Sequence, residues 1–194
     1  TKNGTEFPLV CGVYSTRAKA LLAFEADEKT IMQKVLTGLD NPIAPIVRND
    51  AAPCQEVIVK DIDLTRLPIP TYSPKDGGPY ITPGIVVSKD PETGVPDIGH
   101  YRFLILGKDT FSFSAQPNHR FGKNLAKYQK MGITPKAALI IGVDPILAYT
   151  CQVQVSDTTN DWEVAGGLRG APVELTRCKT CDLEVPATAE LVIE

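Results

Sequence analysis

Apolar and polar positions alternate along two short segments, residues 101–106 and 110–114, with Gly107-Lys108-Asp109 between them. In the second, Phe111 and Phe113 alternate with Ser112 and Ser114. Period-two alternation on both sides of a glycine-containing turn predicts a β-hairpin. Upstream, the spacing predicts amphipathic helices over 17–24, with Ser15 as N-cap, and from 27 or 28 to 36, closed by Gly38. From residue 53 the texture turns to strands. Residues 55–60 alternate, 61–70 form a proline-punctuated connector, and 80–87 read as a strand broken at Pro83-Gly84. A helix is predicted over 121–131, stopped by Gly132, and a buried strand over 137–143. Asp144-Pro145 then opens a short helix. Residues 156–162 read as a polar loop, 166–170 as a glycine-rich turn, and 173–177 and 189–193 as strands. Short strands with a few helices predict an α+β domain of β-barrel type.

Composition narrows the class. At 194 residues the chain can bury a substantial core. Its net charge of −3 lacks the basic excess of a nucleic-acid or membrane-surface binder. No apolar run approaches the ~20 residues of a membrane span. Five cysteines, an odd number at uneven spacing, fit a reducing compartment, so a cytoplasmic location is expected. A start at Thr1 and a stop at Glu194 directly after a strand-like run point to a piece of something longer. Residues 1–55 carry too few apolar side chains for a core of their own and read as the end of a neighbouring region.

Candidate chemistry gathers at the open end of the hairpin, where Asp97 and Arg102 lead in and His119 and Arg120 lead out. Asp97, His119 and the more distant Asp161 form an oxygen/nitrogen donor set suited to a hard divalent ion, or else are unrelated surface residues. Arg102 is either an inward clamp for a carboxylate or phosphate, or an outward solvated side chain. Gly142-Val-Asp-Pro145 could hold an anion at a helix start, although a plain strand–helix turn is the simpler reading. Cys178-Lys-Thr-Cys181 is a C-x-x-C without a second pair, and is read as coincidence.

Ala52-Pro-Cys-Gln-Glu56, Asp63-Leu-Thr-Arg-Leu-Pro-Ile-Pro70, Asp76-Gly-Gly-Pro-Tyr-Ile-Thr82, Asp97-Ile-Gly-His-Tyr-Arg102, His119-Arg120, Glu163-Val-Ala-Gly-Gly-Leu-Arg-Gly-Ala-Pro-Val-Glu-Leu175, Asp182-Leu-Glu-Val-Pro-Ala187 and Ala189-Glu-Leu-Val-Ile193 follow one another along the chain. Together, in that order, they resemble the UbiD-like (de)carboxylase family, which uses prenylated FMN. The resemblance implies a split β-barrel, flavin-reductase-like middle domain over 56–194. Residues 1–55 would then be the C-terminal part of an α/β N-terminal region.

The resemblance also implies a site. Asp97, His119 and Asp161 would be metal ligands for Mn²⁺ or Mg²⁺, with K⁺ as a further ion, and Arg102 the catalytic arginine. Gly99, His100, Tyr101, Arg102, Ala115 and Gln116 would line the flavin, together with Pro117, Arg120, Cys151 and Gln152. The implied reaction is reversible decarboxylation of an aromatic or α,β-unsaturated carboxylic acid. The modified flavin bonds to the substrate carbon while Arg102 orients the carboxylate. A flavin prenyltransferase would supply the cofactor, and a homo-oligomer or a complementary subunit is expected. The sequence departs from the family at Asp97, where an asparagine is usual, and at Asp161, where a glutamate is usual. It also departs at Cys151 and Gln152, where small residues are usual. The acid/base carboxylates of the family fall beyond Glu194. The competing expectation is therefore a non-catalytic flavin- or phosphate-binding module, or an oligomerisation subunit.

Overall fold

A computed structural model describes residues 7–194; residues 1–6 of the expected N-terminal region lie outside it. Five strands form an antiparallel sheet in the order β4-β3-β2-β5-β8. They are β2 (Tyr80–Lys89), β3 (Pro96–Ile105), β4 (Phe111–Phe113), β5 (Ala138–Ile141) and β8 (Leu191–Ile193). A second sheet, β1-β6-β7, pairs β1 (Ile46–Val47) parallel to β6 (Glu174–Arg177) and antiparallel β7 (Glu184–Pro186) to β6. One core joins the two sheets. Ile85, Val87, Ile98 and Ile140 of the larger sheet meet Leu175 and Val185 of the smaller, with Trp162 and Leu147 from the helices. The opposite face of the larger sheet packs Val86, Phe103 and Leu139 against Phe121. This is the α+β, split-barrel class the sequence predicts.

The hairpin forms as expected, with Phe103 opposite Phe113 and Ile105 opposite Phe111. Its turn closes through the N–H groups of Leu106 and Gly107, which both donate to Thr110 O. β4 stops after three residues, and the chain turns back to helix α3 (Arg120–Met131). β2 is one strand, not two: the Pro83-Gly84 irregularity is absorbed as a register shift between Ile81 and Gly84. A proline lacks the ladder donor, and a bulge is where a sheet tolerates that.

Four local expectations are corrected. Residues 55–60 are no strand. A 3₁₀ turn (Pro53–Gln55) is followed by an irregular stretch whose Val57, Ile58 and Val59 are exposed, so the alternation has no partner strand to satisfy it. Helix α1 (Arg17–Ala23) is capped by Thr16, not Ser15, its hydroxyl accepting from Lys19 N. Helix α2 (Ile31–Asp40) runs past Gly38, which is buried within it. The fourth concerns 166–170. Asp144 caps α4 (Pro145–Thr150) as predicted, but Gly166 and Gly167 lie inside helix α5 (Asp161–Arg169). Only Gly170, at φ 72°, makes the turn.

Packing accounts for the glycines of α5. A Cβ on Gly167 would stand 2.2 Å from Gly38 O, and one on Gly166 would stand 2.3 Å from Ile43 O. Glycine costs about 1 kcal/mol of helix propensity relative to alanine. Here that cost is offset by backbone-to-backbone contact of α5 with α2 and with the segment just after it, which sets how closely the helix that begins at Asp161 is held.

Candidate functional site

Asp97 begins the inner run of β3, opposite Ser88, and is 7% exposed. Asp161 is the first residue of α5 and is 5% exposed; the Asn160 side chain caps that helix by accepting from Trp162 N. Between the two carboxylates lies the guanidinium of Arg120, the first residue of α3. It grips Asp161 with two bonds, Nη2 to Oδ1 at 2.9 Å and Nη1 to Oδ2 at 3.1 Å. Its Nε stands 3.6 Å from Asp97 Oδ1. Three backbone carbonyls, of Pro96, Ser156 and Thr159, also accept from Arg120. Ile98 N–H donates to Asp161 Oδ2 at 2.9 Å, tying α5 to β3. Ser88 and Asn124 reach the other oxygen of Asp97 at 3.5 and 3.4 Å.

Two desolvated carboxylates share a single guanidinium. Burial raises both above the usual carboxylate range, outweighing the pull of Arg120, and Asp161 is pushed up to about 6. The cluster carries one negative charge in excess when both acids are ionised. It is therefore receptive to a cation.

The other predicted residues lie around this cluster. His119 is the exposed N-cap position of α3, and its ring takes no hydrogen-bond partner among the described residues. Neither ring nitrogen of His119 is gathered with the carboxylates of Asp97 and Asp161 into one ligand group. His100 is partly buried, held neutral by that burial, and its Nδ1 lies 2.8 Å from Gln152 Nε2. This contact ties β3 to the segment after α4. Cys151 donates its thiol to Leu147 O at 3.2 Å, and burial pushes that thiol far up. Tyr101 rests on the rings of Phe113 and Phe121. Gly99 shares that face, since a Cβ there would meet the Tyr101 ring at 3.0 Å.

Arg102 is exposed, and no partner for it exists among the described residues. Ala115, Gln116 and Pro117 form the link from β4 to α3. Gly122 of α3 packs directly beneath them, where a Cβ would come within 2.1 Å of Gln116 O. Asn124 escaped the sequence reading. A polar residue one turn beyond Arg120, on the helix face that also buries Phe121, was its signal.

Residues 45–194 match the family model described as the UbiD 3-octaprenyl-4-hydroxybenzoate carboxy-lyase Rift-related domain. The chain belongs to the UbiD family. A curated relative, the anhydromevalonate phosphate decarboxylase of Methanothermobacter thermautotrophicus, is 30% identical over 190 residues, 98% of this chain and 44% of the relative. Among solved structures, the UbiD-class enzyme HmfF from Pelotomaculum thermopropionicum in complex with FMN superposes with a TM-score of 0.93 at 32% identity. That match covers 98% of this chain and 43% of HmfF. An evolved dimeric form of HmfF in complex with prFMN gives 0.92 at 33% identity, covering 98% and 45%. The chain thus spans less than half the length of these proteins. No described helix is long and apolar enough to cross a membrane.

Proposed function

We propose that this chain is the cofactor-binding core of an enzyme that reversibly decarboxylates an aromatic or α,β-unsaturated carboxylic acid, using prenylated FMN and a divalent metal. One observation carries the reading. A buried, net-negative Asp97–Arg120–Asp161 cluster sits in a fold shared across 98% of the chain with a UbiD-class enzyme solved with FMN. The hard carboxylate oxygens of Asp97 and Asp161 suit Mn²⁺ or Mg²⁺, and His119, exposed at the start of the helix that carries Arg120, would complete the set by turning toward them. Asp97 and Asp161 would hold the ion with His119, and Arg120 would keep the second charge neutralised.

When bound, the prenylated flavin supplies the electron-accepting centre that decarboxylation needs. The chain's own residues do the positioning. Gly99 and Tyr101 on one face of β3, and the His100–Gln152 pair on the other, border the flavin with the 115–117 link and Cys151. Arg102, exposed and unpartnered among the described residues, grips the substrate carboxylate with its planar fork of donors. The proton donor is assigned to the remainder of the full protein, as is the choice of substrate. The domain boundary near residue 56, a cytoplasmic location and assembly with further copies or subunits belong to the same reading.

The test is co-expression of the full-length protein with a flavin prenyltransferase, followed by mass spectrometry, metal analysis and a visible spectrum. Retained modified flavin and about one Mn²⁺ or Mg²⁺ per chain are expected, and both fall in Asp161→Ala and His119→Ala. Arg102→Ala should keep flavin and metal but lose about a hundredfold or more in turnover, the scale of a misplaced substrate. A wild-type protein that retains no flavin overturns the reading; flavin retained without decarboxylation of any acid would make it a binding module.

A further inference from the structure

The link between β6 and β7 is a tight loop, Cys178 to Leu183, closed by Cys178 N–H donating to Leu183 O at 2.8 Å. It brings the two sulfurs of Cys178-Lys-Thr-Cys181 onto one side. Glu194, just past β8 of the other sheet, places its carboxylate against them. The two sulfurs and a Glu194 oxygen all lie within 4.8 Å of one another, the one such group of three or more His, Cys, Asp and Glu among the described residues. The carboxylate is pinned in place: Lys179 N–H donates to one oxygen at 2.7 Å, and the Thr180 N–H and hydroxyl donate to the other. The loop amides thus hold the carboxylate beside the two sulfurs, in a turn two residues wide between the cysteines, so three donor atoms converge from two sheets.

We propose that Cys178, Cys181 and Glu194 form a site for a thiophilic divalent cation, with Zn²⁺ the ion this set favours, joining the β6–β7 loop to the end of β8. Two thiolates and a carboxylate are a borderline-soft set that hard Mg²⁺ and Mn²⁺ do not prefer. Zn–S bonds of about 2.3 Å in a tetrahedron separate the sulfurs by about 3.8 Å, inside the spacing found. Water takes the fourth position. Burial and the neighbouring negative groups raise both thiols, while the hydrogen bonds from Lys179 and Thr180 hold Glu194 low despite its partial burial. The ion therefore replaces two thiol protons, which leave to solvent, while Glu194 binds already ionised. The site shares no residue with the Asp97–Arg120–Asp161 cluster, so it ties the two sheets together without entering the proposed chemistry.

The experiment uses the full-length protein, reduced, stripped with chelator, and titrated with Co²⁺ alone. About one equivalent should produce thiolate-to-cobalt charge-transfer absorption that Zn²⁺ abolishes by displacement, and Zn²⁺ binding at neutral pH should release about two protons. Cys178→Ser and Cys181→Ser should each remove the band, and Glu194→Gln should weaken binding by more than about tenfold, since even outer partners of a ligand matter that much. The band must survive in Asp161→Asn and in Cys151→Ala, which separates this site from the flavin-side cluster. Should the serine variants not fold, wild-type protein decides: Zn²⁺ should shield Cys178 and Cys181 from alkylation while exposed Cys11 stays reactive. Equal alkylation with and without Zn²⁺, no charge-transfer band, or a Cys178–Cys181 disulfide persisting under reductant would each overturn the proposal.

Discussion

Arg120 is the residue on which the site turns. Its side chain is 13% exposed and meets two carboxylates of comparable burial. Removing one partner from a buried ion pair leaves an uncompensated charge and costs about 3–5 kcal/mol. Arg120→Ala should lose stability on that scale in a urea melt. Adding Asp161→Asn should recover part of it, because the second change removes the orphaned charge; a double variant no better than the single one would contradict the arrangement. His100 offers a pH test. Burial lowers its pKa, so the folded state holds it neutral while the unfolded chain protonates near pH 6.5. The unfolded state then binds more protons, and the stability His100 contributes is present above that pH and lost as pH falls through it. Wild-type melting temperature should drop more steeply between about pH 7 and pH 5 than that of His100→Gln. Asp97, Asp161 and Arg120 were all legible as candidates. Their mutual geometry was not, because residues 97, 120 and 161 are brought together by three different elements, and no local pattern encodes that Arg120 lies between two acids.

At the scale of elements, the hairpin, α3, α4 and most strands could be read from alternation, caps and stops. The larger failures turn on tertiary context that no local signal carries. Gly166-Gly167 carries a strong turn signal, yet it serves helix–helix contact, while residues 55–60 alternate as a strand would without any neighbour to pair with. The crossing of α2 and α5 gives a prediction whose sign opposes propensity. Gly167→Ala should favour an isolated helix by about 1 kcal/mol. In the protein its Cβ meets the backbone oxygens of Gly38 and Asn41 at 2.2 and 2.6 Å. We expect a net destabilisation of about 1–3 kcal/mol, the scale of overpacking, read as a lowered denaturation midpoint. A stabilised variant would show that the crossing is looser than described.

For the whole molecule, the α+β class and the split-barrel plan were legible chiefly through many collinear segments, since short strands alone fit several barrel types. The parallel pairing of β1 with β6 was not foreseen: Ile46–Val47 is only two residues long and pairs with a strand 128 positions away at Ile46↔Glu174. Ligands that bind only the folded state add to its stability by mass action, about 2.7 kcal/mol at a hundred times Kd. The full-length protein should therefore melt higher with Mn²⁺ and FMN than without. The increment should vanish in Asp161→Ala and persist in Cys181→Ser, and calorimetry of the three proteins side by side would show whether it does.

The glycine-to-glycine contact of α2 and α5 also bears on how this chain can change over generations. Gly38 O stands where a Gly167 side chain would begin, and Gly167 O stands 2.8 Å from where a Gly38 side chain would begin. Neither position can drift alone. A lineage that enlarges one must first move the helix bearing the other, and with it the start of α5 and Asp161. The family match opens at residue 45, seven positions after Gly38, so that edge of the match is not a place to cut or to splice. A chimera joined there inherits half of a matched pair.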